Sequence, residues 1–200
     1  MIKRLTIFCV SSTGNLPVFA EEAQKAGALL ASKKIGVVYG GAAIGLMGAV
    51  ADAALQQGGE VIGIIPQFLK TVEIAHPALT QMIVVDTMHQ RKAKMNELSD
   101  GAIALPGGFG TMEELFEMLT WSQLGLHSKP IGLLNTAGFY NPLLQMIHSM
   151  TEYGFLKPEH RNILLADEHL PSLLNKMQLY QPPADSHRKQ FENLKREDLI

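Results

Sequence analysis

The segment from Pro106 to Glu114 combines a glycine-rich turn, a threonine and two carboxylates. An apolar run precedes it and a long segment with helical periodicity follows, so the pattern predicts a strand, a turn and a helix start. The N–H groups of such a turn and the positive end of the helix dipole favour a bound phosphate. Thr111 is expected at the N-cap of this helix, where it would form a capping box with Glu114. Glu114 is therefore either a capping residue or a catalytic carboxylate.

The segment from Met88 to Met95 is the second candidate, because it carries Arg91, Lys92 and Lys94 near the start of a predicted helix. Cations at a helix start oppose the helix dipole, and a bound anion would offset that cost. Helical periodicity places Arg91 and Lys94 on one face and Lys92 on another. The alternative interpretation is ordinary solvated helix charge.

Two further loops follow predicted strands and contain glycines or small hydroxyl side chains. The loop at 10–14 offers two serine hydroxyls to a sugar or phosphate, or else caps the helix that follows it. The loop at 39–48 is rich in glycine and opens a helix whose N-terminus favours an anion. It lacks the G-x-G-x-x-G spacing of a dinucleotide fingerprint. The alternative for Gly45, Gly48 and the alanines after them is close packing of that helix.

These loops must be positioned by the elements around them, and the chain alternates short apolar runs with helical segments. The runs are continuously apolar, which is typical of strands buried on both faces of a parallel sheet. We therefore predict an α/β protein that is Rossmann-like and doubly wound, with a mainly parallel sheet flanked by helices. The predicted strands are Leu5–Val10, Ile35–Tyr39, Val61–Ile65, Met82–Val85, Ala102–Leu105, Ile131–Leu134 and Asn162–Ala166. The predicted helices are Pro17–Lys33, Gly45–Gln57, His89–Ser99, Thr111–Leu124, Phe139–Tyr153 and Leu170–Lys176.

Composition predicts one domain over residues 1–180, followed by a charged tail or peripheral helix at 181–200. The chain has 200 residues, of which 46% are hydrophobic and 18% charged, and its net charge is -2. This balance argues against disorder and offers no single-sign excess for nucleic acid or an anionic membrane. No stretch approaches the ~20 apolar residues of a membrane span. A single cysteine excludes an intrachain disulfide, and we expect a cytoplasmic protein.

Taken in order, these segments resemble the LOG family, the cytokinin riboside 5'-monophosphate phosphoribohydrolases that are often mislabelled as lysine decarboxylases. The family signature P-G-G-x-G-T-x-x-E is matched by 106–114, and M-H-x-R-K-x-x-M is matched by 88–95. The loop V-Y-G-G-x-x-x-G-L-M-G is matched by 38–48. One position departs, because Val10 stands where the family has glycine in C-G-S-S.

The resemblance implies hydrolysis of the N-glycosidic bond of an adenosine 5'-monophosphate, plain or N6-modified, to free base and ribose 5-phosphate. It implies that Arg91 and Glu114 are the catalytic pair, without assigning them to separate steps, and that neither a cofactor nor a metal is needed. The phosphate-binding residues that it implies are Gly107, Gly108, Gly110 and Thr111. The further nucleotide-binding residues are Glu73, Met88, Lys92, Phe109, Met112, Glu113, Thr120, Ser12 and Gly41.

Two other functions remain open from the sequence. A non-catalytic carrier of a nucleotide or cofactor would use the glycine loops but would gain nothing from a carboxylate beside them. A lysine decarboxylase needs a lysine placed to form a Schiff base with pyridoxal phosphate, and no lysine is marked for that role.

The oligomeric state follows from two helices, at 45–57 and 111–124, that are apolar almost all round. A helix of this kind must be covered by other parts of the protein. We therefore predict a homodimer, and the family resemblance implies the same.

Overall fold

A computed structural model of the chain describes residues 1–70 and 74–183, and seven strands form its centre. Every neighbouring pair of strands is parallel, and the strand order is β4-β3-β2-β1-β5-β6-β7. The strands are β1 (Arg4–Phe8), β2 (Gly36–Tyr39), β3 (Val61–Pro66), β4 (Gln81–Val85), β5 (Ala102–Ala104), β6 (Ile131–Leu134) and β7 (Leu164–Asp167). The predicted doubly wound, Rossmann-like fold is confirmed.

Seven α-helices connect or follow these strands within the described residues. They are α1 (Pro17–Ser32), α2 (Gly45–Gln56), α3 (Met88–Leu98), α4 (Phe109–Gln123), α5 (Asn141–Glu152), α6 (Pro158–Arg161) and α7 (Leu170–Leu179). The chain builds outward from β1 to β4 on one side and then crosses to β5 on the other. The carboxyl ends of β1 and β5 therefore border the crevice at which such sheets bind ligands.

The sheet is covered on both faces, which accounts for the continuously apolar strands. Leu5, Ile7 and Val37 point to one face, where they pack with side chains of α1, α2 and α7. Their neighbours Phe8 and Val38 point to the other face, where they pack with side chains of α3 and α4. Because successive side chains alternate across a strand, one apolar run supplies both layers of the core.

The element boundaries differ from the predicted ones at several places. β1 ends at Phe8 rather than Val10, and β7 begins at Leu164 rather than Asn162. The short helix α6 was not predicted, because four residues are too few to show a helical period. The tail from 184 onward lies outside the described residues, so the domain boundary at 180 stays a prediction. No helix in the described ranges is long and apolar enough to cross a membrane.

Helix α2 is covered within the chain itself, so its apolar surface does not require a second subunit, and the homodimer stays a prediction. Helix α1 approaches it so closely that a Cβ at Gly27 would lie 2.2 Å from the carbonyl oxygen of Val50. Together with the sheet, α1 buries Val50, Ala51 and Ala54 of α2. The small residues of α2 therefore serve close helix packing, as the alternative interpretation proposed.

We expect Gly27→Ala to lower the free energy of unfolding by about 1–3 kcal/mol, because an added methyl group overpacks the α1–α2 contact. Gly110→Ala is the matched control, since Gly110 also lies in a helix and a Cβ there would meet no atom within 4 Å. Helix propensity alone favours alanine, so the control should be as stable as wild type or more so. Urea denaturation measures both, and equal stability of the two variants would contradict the packing argument.

Candidate active site

The parallel sheet brings the loops after β1, β2 and β5 to one edge, and Arg91 from α3 reaches into this edge. Its side chain is buried, with only 3% of the residue exposed. The guanidinium Nη2 donates to the carbonyl oxygen of Gly40 at 3.2 Å, and Nη1 lies 3.9 Å from the sulfur of Met88. Arg91 shares the buried face of α3 with Met95, one turn later. The helix therefore directs a cation inward at the carboxyl end of β2.

Gly40 is the residue that makes room for this cation. A Cβ at position 40 would lie 1.9 Å from Nη2 of Arg91, far inside any allowed contact. Any other residue would force the guanidinium out of its place. The sequence places Gly40 only in a tight, glycine-rich turn. Its contact with Arg91 could not be predicted, because the two residues are far apart in the sequence.

Glu114 supplies the opposite charge from α4, and it is also buried, with 8% exposed. Both charges act on Cys9, which follows β1 at the switch point of the sheet. Burial raises the pKa of the Cys9 thiol, the Glu114 carboxylate raises it further, and the Arg91 guanidinium lowers it. The two predicted catalytic residues therefore lie on either side of the carboxyl end of β1.

The predicted phosphate loop forms the start of α4, but its cap differs from the prediction. The helix begins at Phe109 with Gly108 as N-cap, so Thr111 is not the N-cap and the capping box with Glu114 is wrong. Thr111 lies inside the first turn with 3% exposed, and a Cβ at Gly107 would lie 2.2 Å from its Oγ1. Capping therefore does not account for Glu114.

The surface of this loop has the features of an anion site. The buried Oγ1 of Thr111 has no hydrogen-bond partner in residues 1–70 and 74–183. Gly108 and Gly110 are exposed, and a Cβ at either would meet no heavy atom within 4 Å. The first N–H groups of a helix lack intrahelical partners. A phosphate at this position would receive these N–H groups and the threonine hydroxyl together.

The start of α2 is different, because its first N–H groups already have backbone acceptors, which favours the packing alternative over an anion. The carbonyl oxygens of Ser12 and Val10 accept hydrogen bonds from the N–H groups of Leu46 and Met47, at 3.1 and 3.3 Å. A Cβ at Gly45 would lie 2.2 Å from the Ser11 carbonyl carbon, so glycine permits this contact. The backbone of the first loop thus fills the helix end at which an anion would bind.

The first loop does not cap α1 either, which corrects the capping interpretation of its serines. Helix α1 begins at Pro17, with Leu16 as N-cap and no side-chain cap. The Ser12 hydroxyl accepts from the N–H of Gly14 at 3.2 Å, and Val10 keeps a negative φ. Valine therefore fits where the family has glycine.

Lys92 takes part in a charge cluster between α3 and α4. Its ammonium group bridges the carboxylates of Glu113 and Glu117, the latter at 3.0 Å. Burial opposes the charge on Lys92, but hydrogen bonds to both carboxylates outweigh it and raise the pKa of Lys92. Lys94, predicted on the face of Arg91, pairs instead with Glu97 at 2.9 Å near the surface. The three basic residues of this segment therefore have separate roles.

The remaining predicted nucleotide-binding residues differ in how close they lie to the site around Arg91 and Glu114. Met88 and Phe109 are exposed beside Arg91 and the glycine loop, respectively, and Gly41 lies in the turn after β2 with φ of 85°. Met112 and Glu113 follow on the first turns of α4. Thr120 is not brought to the site, because it lies further along α4 and donates to the carbonyl oxygen of Phe116 at 2.7 Å. Glu73 lies outside the described residues.

Sequence reasoning missed Tyr140, whose side chain holds the end of β5 just before the glycine loop. Its hydroxyl donates to the carbonyl oxygen of Leu105 at 2.5 Å, and its own N–H donates to Oδ1 of Asn135 at 2.7 Å. Burial raises the pKa of Tyr140, with a further contribution from Cys9. No local pattern in the sequence signals this role, since the contact joins residues far apart. Within the described residues, no group of three or more His, Cys, Asp or Glu side chains is arranged to hold a metal ion.

The fold and site define a Rossmann-like α/β protein with a glycine loop at a helix start, a buried arginine and a buried carboxylate at the switch point. Residues 47–177 match the family described as "Possible lysine decarboxylase". The chain belongs to this family, which is the LOG family that its motifs resemble.

Two relatives cover most of the chain. A protein of Arabidopsis thaliana named cytokinin riboside 5'-monophosphate phosphoribohydrolase is 46% identical over 180 residues, covering 90% of this chain and 84% of its own. A protein of Oryza sativa subsp. japonica, described as "Probable cytokinin riboside 5'-monophosphate phosphoribohydrolase", is 46% identical over 177 residues, covering 88% and 79%.

Solved structures show the same fold at much lower identity. The molybdenum cofactor carrier protein of Chlamydomonas reinhardtii has a TM-score of 0.65 at 17% identity and covers 90% of this chain and 100% of its own. The molybdenum cofactor binding protein of Rippkaea orientalis has a TM-score of 0.66 at 21% identity and covers 90% and 96%. At these identities the likeness establishes the fold alone.

The environment of Cys9 predicts an inert thiol. Only the thiolate reacts with disulfide reagents, and burial together with Glu114 raises the pKa of Cys9, so the native protein should hardly react at pH 8. After unfolding in guanidinium chloride, one thiol per chain should react with a chromogenic disulfide reagent. Rapid reaction of the native thiol would show that Cys9 is not enclosed beside Arg91 and Glu114.

Proposed function

We propose that this protein hydrolyses the N-glycosidic bond of adenosine 5'-monophosphate or an N6-modified form of it, releasing the base and ribose 5-phosphate. The observation that carries the proposal is the buried pair Arg91 and Glu114 beside the glycine loop at the start of α4. The names of the curated relatives, at 46% identity, support the same reaction class.

The start of α4 holds the 5'-phosphate in this proposal. The phosphate receives N–H groups from Gly108 to Thr111 and a hydrogen bond from the buried Thr111 hydroxyl, which otherwise lacks a partner among the described residues. The exposed glycines let the anion approach the backbone closely. Phosphate binding at this point places the ribose toward Arg91 and Glu114.

The buried charges then act on the ribose. As the bond to the base breaks, positive charge develops on the sugar, as in other glycoside cleavages. Glu114 stabilises that charge and positions the attacking water, whose hydroxyl adds to the ribose carbon to give ribose 5-phosphate while its proton goes to the departing base. Arg91 donates from its planar fork to phosphate or ribose oxygens. Because both side chains are buried, these interactions operate in a low dielectric, where they are strong.

Lysine decarboxylation, which the description of the family suggests, finds no support in the described lysines. A Schiff-base lysine is activated by a lowered pKa, whereas its carboxylate partners raise the pKa of Lys92. Burial does lower the pKa of Lys129. That residue, however, precedes β6 and donates to the carbonyl oxygen of Asn96, at the opposite edge of the sheet. A carrier function is disfavoured by Glu114, since a buried carboxylate weakens the binding of an anion.

We also propose that the enzyme is a cytoplasmic homodimer assembled through the α4–α5 face. Phe116 of α4 is 37% exposed and Leu124, directly after α4, is 40% exposed, while Phe155, which lines the same groove as Phe116, is 86% exposed. A groove of about 260 Å³ separates the two helices, and Thr120 lies in its wall. Contiguous exposed apolar surface of this kind marks protein interfaces. The single cysteine, which offers no intrachain disulfide, fits a reducing compartment.

The purified protein should release adenine from adenosine 5'-monophosphate but hardly from adenosine, because the nucleoside leaves the phosphate site empty. Arg91→Ala and Glu114→Gln should each reduce kcat/KM by at least about 100-fold, as loss of an electrostatic transition-state contact does. Thr111→Val should mainly raise KM. Chromatography of released base measures all of these, with N6-modified monophosphates in the same panel.

Glu97→Gln and Lys94→Ala are the matched controls. Each removes one partner of an ion pair on α3, the helix that carries Arg91, and should leave kcat/KM unchanged. Full activity of both Arg91→Ala and Glu114→Gln would overturn the site assignment. Tight nucleotide binding without base release over hours would favour the carrier instead.

The dimer proposal predicts that Phe116→Asp gives a monomer, since burying a carboxylate in an apolar interface is unfavourable. Light scattering at micromolar concentration should report a dimer for wild type. Leu179→Asp, which changes an equally apolar and 72% exposed side chain on α7, should remain dimeric. A monomeric wild type would contradict the proposal.

A further inference from the structure

The turn after β2 is held by a short segment, 74–78, that crosses it. The N–H of His76 donates to the carbonyl oxygen of Gly41 at 2.9 Å, and the N–H of Ala43 donates to the carbonyl oxygen of Ile74 at 2.9 Å. Between these two bonds, Ala42 and Ala75 form an antiparallel bridge. The turn that accepts the hydrogen bond from Arg91 is therefore anchored on its other side by this segment.

The side chain of His76 fixes the segment to α2. It is 4% exposed, and its Nδ1 accepts from the N–H of Ala78 at 3.2 Å. A backbone N–H can only donate, so Nδ1 carries no proton and Nε2 must carry it. Nε2 lies 3.0 Å from Oδ1 of Asp52 and donates to it. Both ring nitrogens are thus satisfied, and a buried neutral histidine joins α2 to the segment.

The turn itself has little freedom to adjust. A Cβ at Gly63 on β3 would lie 2.8 Å from Cα of Gly41, so the turn lies directly on the sheet. The carbonyl oxygens of Gly40 and Gly41 are consecutive, and they accept from Arg91 and His76, respectively. A shift of the Gly41 peptide therefore moves the acceptor that orients Arg91.

We propose that His76, held by Asp52, is a positioning residue that sets the place of Arg91 through the Gly40–Gly41 turn. This inference rests on the proposed hydrolase function, because it assigns His76 to the same site. His76 acts through the backbone of the turn, because its N–H donates to the carbonyl oxygen of Gly41. Its effect on the reaction is geometric, since displacement of a catalytic group by about 1 Å lowers rates by up to about 100-fold.

The kinetics of base release test the proposal with alanine substitutions, which should reduce activity, and with conservative substitutions, which should restore it. His76→Ala should lower kcat/KM by about 10- to 100-fold, with the same division between kcat and KM that Arg91→Lys shows. His76→Gln should recover most of the activity, because its side-chain amide provides an acceptor and a donor. Asp52→Ala should lower kcat/KM less than His76→Ala does, because the Asp52 side chain is 58% exposed. Asp52→Asn should restore the activity.

His127→Ala is the matched control, because His127 is a half-buried histidine with a similar set of hydrogen bonds. His127 also accepts from a backbone N–H two residues later through Nδ1, at 3.2 Å, and its Nε2 lies 3.1 Å from a carbonyl oxygen. The His127→Ala variant should have a lower melting temperature, as His76→Ala does, but its kcat/KM in the folded state should be unchanged. Equal kinetic losses in both variants would mean that His76 has only a structural role.

A double-mutant cycle shows whether His76 affects catalysis through Arg91 or through another part of the site. In an Arg91→Lys background, His76→Ala should have little further effect, whereas in a Glu114→Gln background it should still reduce activity. Additive losses with Arg91→Lys would overturn the proposal.

Hydrogen–deuterium exchange of the peptide spanning residues 40–47 provides a readout that needs no catalysis. His76→Ala should speed exchange there and His127→Ala should not. If wild type released no base from any monophosphate, the proposed function would fail, and unchanged exchange in His76→Ala would separately refute the positioning role.

Discussion

The burial of the Arg91 guanidinium against the carbonyl oxygen of Gly40 is the interaction on which the site depends. A buried cation is tolerated only with hydrogen bonds and compensating charge, and it is never neutralised, because arginine keeps its proton at any physiological pH. Position 40 must therefore lack a Cβ, the turn must present its carbonyl oxygen inward, and α3 must begin close to β2. The parallel order β4-β3-β2-β1-β5 meets the last condition, because it brings the ends of these strands to one edge.

The two helix starts at this edge differ, although both follow glycine-rich loops. The N-terminus of α2 is filled by backbone carbonyl oxygens from the loop after β1, so its dipole stabilises the protein itself. The N-terminus of α4 follows a shorter loop with exposed glycines, and Thr111 there has a buried hydroxyl without a partner among the described residues. The difference lies in what packs over each turn, which the glycine content does not reveal.

Apolar runs and helical periods were enough to predict all seven strands and the six longer helices, because burial on both faces of a parallel sheet leaves a strong local signal. The errors are non-local. Thr111 was predicted as N-cap, but the helix begins earlier, with Gly108 as N-cap in an extended conformation. The apolar surface of α2 was assigned to a second subunit, but α1 covers it through Gly27. The pairing of Lys92 with Glu113 and Glu117 likewise joins separate helices, so no local pattern could predict it.

The buried carboxylate of Glu114 distinguishes catalysis from simple binding at this site. Beside a phosphate loop, a fixed negative charge in a low dielectric opposes the binding of an anionic ligand. A protein that only carries a nucleotide would bind more tightly without it. A hydrolase that must stabilise positive charge on ribose gains from the same carboxylate in the transition state and loses only in the ground state, which is the condition for a higher rate. Arg91 beside it limits that loss, since its cation attracts the phosphate that Glu114 repels.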